Sequence, residues 1–165
     1  MKGFKIKYLT DNGLIAALYV TISLLTYPLS FGMIQFRVAE ALMLLCFFRK
    51  DFSIGLVIGC LITNIASFSP LDMIFGTGAT ILSCLVIMFS KQLFIAALAP
   101  IVFNAFIIGF ELNWLLGEPL WMAIGFVALG EAVVMAFGYF LFMVLKRNKV
   151  FFEFIRANQN LDFKI

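Results

Sequence analysis

Six apolar runs divide the chain, each bounded by polar or turn-forming residues. A membrane-spanning helix needs roughly 20 predominantly apolar residues. The runs that approach this length are 14–31, 36–48, 52–68, 71–89, 93–110 and 120–145. Thr10, Asp11 and Asn12, which favour helix starts, precede the first run. The second is short for a span. Ser69 and Pro70 close the third. The fourth begins past that proline with Asp72 in its first turn, where a negative charge suits the helix dipole. Gly117, Glu118 and Pro119 separate the last two. The pattern predicts an all-α integral membrane protein of six transmembrane helices. With no repeat, linker or low-complexity segment, residues 1–165 form one domain.

The basic residues test this count. Lys2, Lys5 and Lys7 precede the first span; Arg49 and Lys50 follow the second; Lys91 follows the fourth. Lys146, Arg147, Lys149, Arg156 and Lys164 lie in the tail. Six crossings put all of these on one side, which the positive-inside rule makes the cytoplasm, with both termini there. Removing any one span scatters them across both sides. Arg37 is the exception. The opening lysines superficially resemble a signal peptide. However, the apolar run behind them is too long for an h-region and ends in no small-residue cleavage site, so a retained first helix is expected. Phe151, Phe152, Phe154 and Ile155, mixed with basic residues, suit a tail that lies on the membrane surface or docks on a partner.

Composition agrees. Of 165 residues, 64% are hydrophobic, and the mean hydropathy is +1.08. One soluble core of this size cannot hide so much apolar surface. The net charge of +3 bears on orientation and gives no sign of nucleic acid. The absence of histidine removes the commonest metal ligand and general base, and no metal or cofactor site is expected. Cys46, Cys60 and Cys84 sit within apolar runs and read as small buried hydrophobes.

Polar groups at membrane depth cost several kcal/mol unless paired or hydrated, so each is a functional candidate. Arg37 and Glu40, three residues apart, share one face at the start of the second span. Asn64 lies near the outer end of the third, and Asp72 begins the fourth at the same level, with Gly76, Thr77 and Gly78 just below. Asn104 and Glu111 occupy the outer half of the fifth. Glu131 lies roughly 15 Å down the sixth. The inner halves offer only small groups such as Ser53, Ser83 and Cys84. The pattern suggests a pocket open outward and sealed beneath. Structural alternatives exist for most of these residues. Arg37 can pair with Glu40 or snorkel to headgroups. Asp72 can cap a helix, and Glu111 and Glu118 can be solvated loop acids. Trp114 and Trp121 can anchor the interface. Asn64 and Asn104 can link helices. Glu131, mid-span, has no inexpensive structural excuse. On the first helix Ala16, Ala17, Val20 and Thr21 form a small-residue face that lets another helix approach closely, within this protein or from a partner.

Three segments, residues 35–42 (Gln-Phe-Arg-Val-Ala-Glu-Ala-Leu), 55–64 (Gly-Leu-Val-Ile-Gly-Cys-Leu-Ile-Thr-Asn) and 70–76 (Pro-Leu-Asp-Met-Ile-Phe-Gly), together resemble the QueT-type queuosine-precursor S-components of energy-coupling factor (ECF) transporters. Weaker echoes follow from Asn104 to Leu112 and at Gly130-Glu131. Cys46 departs from the pattern, standing where a proline is expected. The resemblance implies a six-helix solute-binding subunit in a prokaryotic plasma membrane. Such a subunit works with a transmembrane coupling protein and two ATPases, and the small-residue face of its first helix docks on the coupling protein. It implies a 7-deazaguanine substrate. Glu131 or Glu40 would read its guanidine-like edge, Asn64 and Asn104 would orient the ring, and Asp72 or Glu111 would meet a positive substituent. Phe36, Phe68, Phe75 and Trp114 would stack on the ring. No phosphate-binding glycine loop is present, so ATP hydrolysis falls to a partner. The rival readings are an S-component for thiamin or riboflavin, a membrane enzyme using paired acids, and a channel. The missing histidines and nucleophile motifs argue against the enzyme. The dry inner half argues against the channel.

Overall fold

The computed structural model describes residues 2–30, 35–66 and 70–155, and every element among them is helical. In chain order these are α1 (Lys2–Leu25), α2 (Tyr27–Ser30), a 3-10 helix (Val38–Leu44) running into α3 (Leu45–Phe48), α4 (Phe52–Ala66), α5 (Pro70–Phe89), α6 (Leu93–Leu116), α7 (Leu120–Leu145) and α8 (Lys149–Ile155). Four helices, α1, α5, α6 and α7, are long and apolar enough to cross a membrane. Val38–Phe48 and Phe52–Ala66 are apolar but shorter.

The second predicted span departs most from expectation. Instead of one α-helix over 36–48, residues 35–37 are non-helical, 38–44 wind as a 3-10 helix, and only 45–48 are α-helical. This segment touches α1, α4, α5, α6 and α7, and Met43, Leu44, Cys46 and Phe48 are fully buried. It is the axis of the bundle, surrounded by protein. A 3-10 helix rises about 2.0 Å per residue against about 1.5 Å for an α-helix, so an eleven-residue stretch reaches further through the core. Two glycines of α7 make room for it. A Cβ on Gly130 would strike the Gln35 backbone, and one on Gly138 would lie 3.1 Å from the Ala41 Cβ.

Other boundaries move for local reasons. Thr10, Asp11 and Asn12 do not start α1, which is already helical from Lys2. Thr10 donates back to the Ile6 carbonyl (2.9 Å), and Asn12 Nδ2 to that of Tyr8 (3.1 Å). Asn12 Oδ1 also accepts the Gly55 N–H at 2.8 Å, stitching α1 to α4. The fifth span continues past 110 to Leu116 and stops where Gly117 takes a left-handed conformation (φ 69°), which glycine adopts at little cost. The tail, through Ile155, docks on the chain's own core. Phe151 and Phe152 pack their rings on Phe48 at 6.0 and 5.8 Å, and Ile155 is buried.

Arg49 ties the basic end of the bundle together. Its guanidinium donates to both carboxylate oxygens of Asp51 (2.7–3.0 Å), to Asp11 Oδ2 on α1 (2.8 Å) and to the Ile155 carbonyl of α8 (3.1 Å). Its plane also covers the Phe52 ring at 4.4 Å. Burial opposes its charge, but the bonds to Asp51 and Asp11 outweigh that and raise its pKa. The expected outcome of Arg49→Gln is a loss of about 2–3 kcal/mol in stability, read as a lower unfolding midpoint in detergent. Arg49→Lys should recover only part of it, because an ammonium cannot fork. An unchanged midpoint for Arg49→Gln would remove this node from the account.

Candidate functional site

The break at 35–37 places Arg37 one 3-10 turn before Glu40. In a 3-10 helix side chains three residues apart eclipse one another, and Arg37 Nη1 meets Glu40 Oε1 at 3.2 Å. Glu40 has no exposed surface. Its other oxygen accepts a short hydrogen bond from Asn104 Nδ2 on α6. Both Glu40 oxygens are therefore engaged, one by a cation and one by an amide.

Glu131 on α7 completes this group. It is fully buried and within electrostatic range of Glu40 and Arg37, with the Asn104 amide beside it. Yet neither of its carboxylate oxygens has a hydrogen-bond partner among the described residues. The same is true of Asn104 Oδ1 and Gln35 Oε1. All four of these atoms are acceptors, and buried acceptors without donors are costly.

A second branch comes from α4 and α5. Asn64 Nδ2 donates to Thr77 Oγ1 and to Cys60 Sγ, both at 3.3 Å. Cys60 Sγ in turn lies 3.1 Å from Thr80 Oγ1. Gly76 joins the branches, because a Cβ there would sit 2.7 Å from Asn64 Nδ2 and 3.3 Å from the Arg37 guanidinium. Tyr19 enters from α1, buried and within reach of Cys60.

Of the residues singled out in the sequence, Arg37, Glu40, Asn64, Asn104 and Glu131 thus converge. Asp72 and Glu111 form a neighbouring pair on α5 and α6. The Glu111 carboxyl lies beside that of Asp72 and within electrostatic range of Arg37. Glu111 is almost fully buried, and its neighbour in this pair is the Asp72 carboxyl. Phe36 is half-buried beside Arg37. Phe75 meets Trp114 edge to face at 6.3 Å, but Trp114 is 65% exposed and stands outside the buried group. Phe68 lies outside the described residues. On α1, Ala17 and Thr21 are exposed and Val20 half-buried. Ala16 instead faces inward, its carbonyl 3.0 Å from where a Gly59 Cβ would stand. The small-residue face therefore splits between internal packing and an outer surface. Sequence reasoning missed Tyr19, Gln35, Cys60 and Thr80. The four-residue spacings Cys60–Asn64 and Gly76–Thr80 were the available signal.

These features define an all-helical, multi-pass membrane protein that keeps a cluster of charged and amide side chains at the centre of its bundle. Residues 9–147 match the family model of the QueT transporter, and the chain belongs to that family. It is 33% identical over 158 residues to the queuosine precursor transporter QueT of Lactococcus lactis subsp. cremoris (strain MG1363), covering 86% of this chain and 93% of that protein. No solved structure matches it. The family and this relative are transporters, so the buried acids do not belong to an enzyme.

The two buried glutamates should respond differently to neutralisation. Glu40→Gln leaves the Arg37 charge without its anion and should cost about 3 kcal/mol. Glu131→Gln breaks no ion pair among the described residues and removes a buried charge, so it should leave the unfolding midpoint unchanged or raised. Equal losses for the two variants, measured in the same detergent, would contradict this division.

Proposed function

We propose that the chain is the substrate-binding subunit of an ECF-type importer and captures a 7-deazaguanine queuosine precursor from outside the cell. The observation that carries the reading is the Glu131 carboxylate, fully buried beside the Arg37–Glu40–Asn104 chain with neither oxygen hydrogen-bonded among the described residues. The buried carboxylate and amide oxygens of Glu131, Asn104 and Gln35 suit a solute that presents hydrogen-bond donors. The guanine-like edge of a deazaguanine presents adjacent N–H donors that one carboxylate accepts in parallel, and Asn64 and Asn104 would orient the ring. An aminomethyl substituent would carry a positive charge toward Asp72 and Glu111. The name of the Lactococcus relative favours this substrate over thiamin or riboflavin.

The same reading takes six crossings. The four long helices are joined by Val38–Phe48, enclosed by protein, and by Phe52–Ala66. The basic end, with both termini, is then cytoplasmic. The chain has no nucleotide-binding glycine loop, so uptake draws on a coupling protein and a pair of ATPases. The exposed Ala17 and Thr21 of α1, with Val20 beside them, offer the contact with the coupling protein. Hydrogen bonds to a charged group contribute about 1.5–3 kcal/mol. Glu131→Gln should therefore weaken binding of 7-aminomethyl-7-deazaguanine by about tenfold to about a hundredfold, measured by equilibrium titration of purified protein. Wild-type affinity in that variant would remove Glu131 from the site and with it the main support for this reading.

A further inference from the structure

At the basic end, α5, α6 and the linker 90–92 between them line an open groove of about 640 Å³. Its walls are apolar, with Leu85 and Phe89 from α5 and Ile95 from α6; its mouth is formed by Ser90, Lys91 and Gln92. The apolar rows continue along both helices through Leu82 and Leu98, each 41% exposed. No acidic side chain lines the groove. A second cation stands at the mouth, because the Lys50 ammonium sits 5.1 Å from the centre of the Phe89 ring. Gln92 begins α6 in an extended conformation without capping the helix through its side chain, and the first turn of α6 holds no acid. The groove thus joins a hydrocarbon track to a cluster of positive charge at one level.

We propose that this groove holds an anionic diacyl phospholipid, with its phosphate over Lys50 and Lys91 and an acyl chain along Leu82, Leu85, Ile95 and Leu98. The charge pattern selects this occupant. A zwitterionic lipid offers a neutral headgroup to two lysines, and a protein helix would bury them without a counter-charge. The site is separate from the Arg37–Glu131 cluster and does not rest on the transport reading. A bound lipid here would clamp the α5–α6 linker against the segment that carries Arg49 and Lys50.

The test is native mass spectrometry of the purified full chain in detergent with added 1-palmitoyl-2-oleoyl-phosphatidylglycerol, or phosphatidylcholine of the same chains. At about fivefold per lysine, the wild type should retain the glycerol lipid about 25-fold more strongly. Lys91→Gln and Lys50→Gln should each reduce that preference about fivefold. Lys149→Gln, the same charge change at an exposed position of α8, should leave it intact. Leu85→Trp, which fills the groove while keeping both lysines, should lower retention of the glycerol lipid. Equal retention of the two lipids by the wild type would overturn the proposal. So would equal losses for Lys149→Gln and Lys91→Gln, which would mark diffuse attraction, or full retention in Leu85→Trp.

Discussion

A guanidinium enclosed in a bundle that faces lipid costs several kcal/mol unless an anion meets it at contact distance. For Arg37 that anion is Glu40, 3.2 Å away, and much of the surrounding structure follows from keeping the two together. The 3-10 winding eclipses their side chains. The non-helical stretch before Val38 needs a neighbouring backbone to come very close, and Gly130 supplies that by lacking a Cβ. Gly76 does the same beside the guanidinium itself. Asn104 then occupies the Glu40 oxygen that Arg37 leaves over. With Glu40 satisfied from both sides, Glu131 is the acid of this central cluster without an ion-pair partner among the described residues.

The two ends of the central segment have different chemistry. Arg37 and Glu40 stand at one end, and Arg49 at the other, bound to Asp11, Asp51 and the end of α8. Between them run Met43, Leu44, Phe47 and Phe48, in one apolar cluster with Leu56 and Phe142. This apolar plug blocks passage from the upper cluster toward the basic end. A solute bound at the proposed site would reach that end only if the helices move relative to one another. That fits a chain whose relatives transport and which carries no nucleotide-binding loop of its own.

Much of this was legible in the sequence, for identifiable reasons. Long apolar runs with turn residues between them mark α5, α6 and α7 closely, because hydropathy alone decides those elements. Ionisable residues inside such runs mark Arg37, Glu40 and Glu131, since the membrane makes each of them expensive. The second span was misread as an ordinary helix. Its residues, Val38 to Leu44, are good helix formers, and the 3-10 winding is set by packing against Gly130 and Gly138 on α7, a contact far away in sequence. Thr10, Asp11 and Asn12 look like a helix start because local propensity is blind to Gly55 and Arg49, the partners that use them inside α1. Tyr19 and Cys60 were overlooked for a simpler reason. An isolated tyrosine in an apolar helix carries no signal until the fold shows what it touches, and the Cys60–Asn64 spacing points only to a shared helix face.

The central claim is that the chain alone, without any ATPase, holds a 7-deazaguanine at the Arg37–Glu131 cluster. The most direct test is equilibrium binding of the purified chain to a panel of 7-deazaguanines, thiamin and riboflavin. The account predicts saturable one-to-one binding of a deazaguanine and none of either vitamin. Binding of thiamin or riboflavin with no response to any deazaguanine would contradict it.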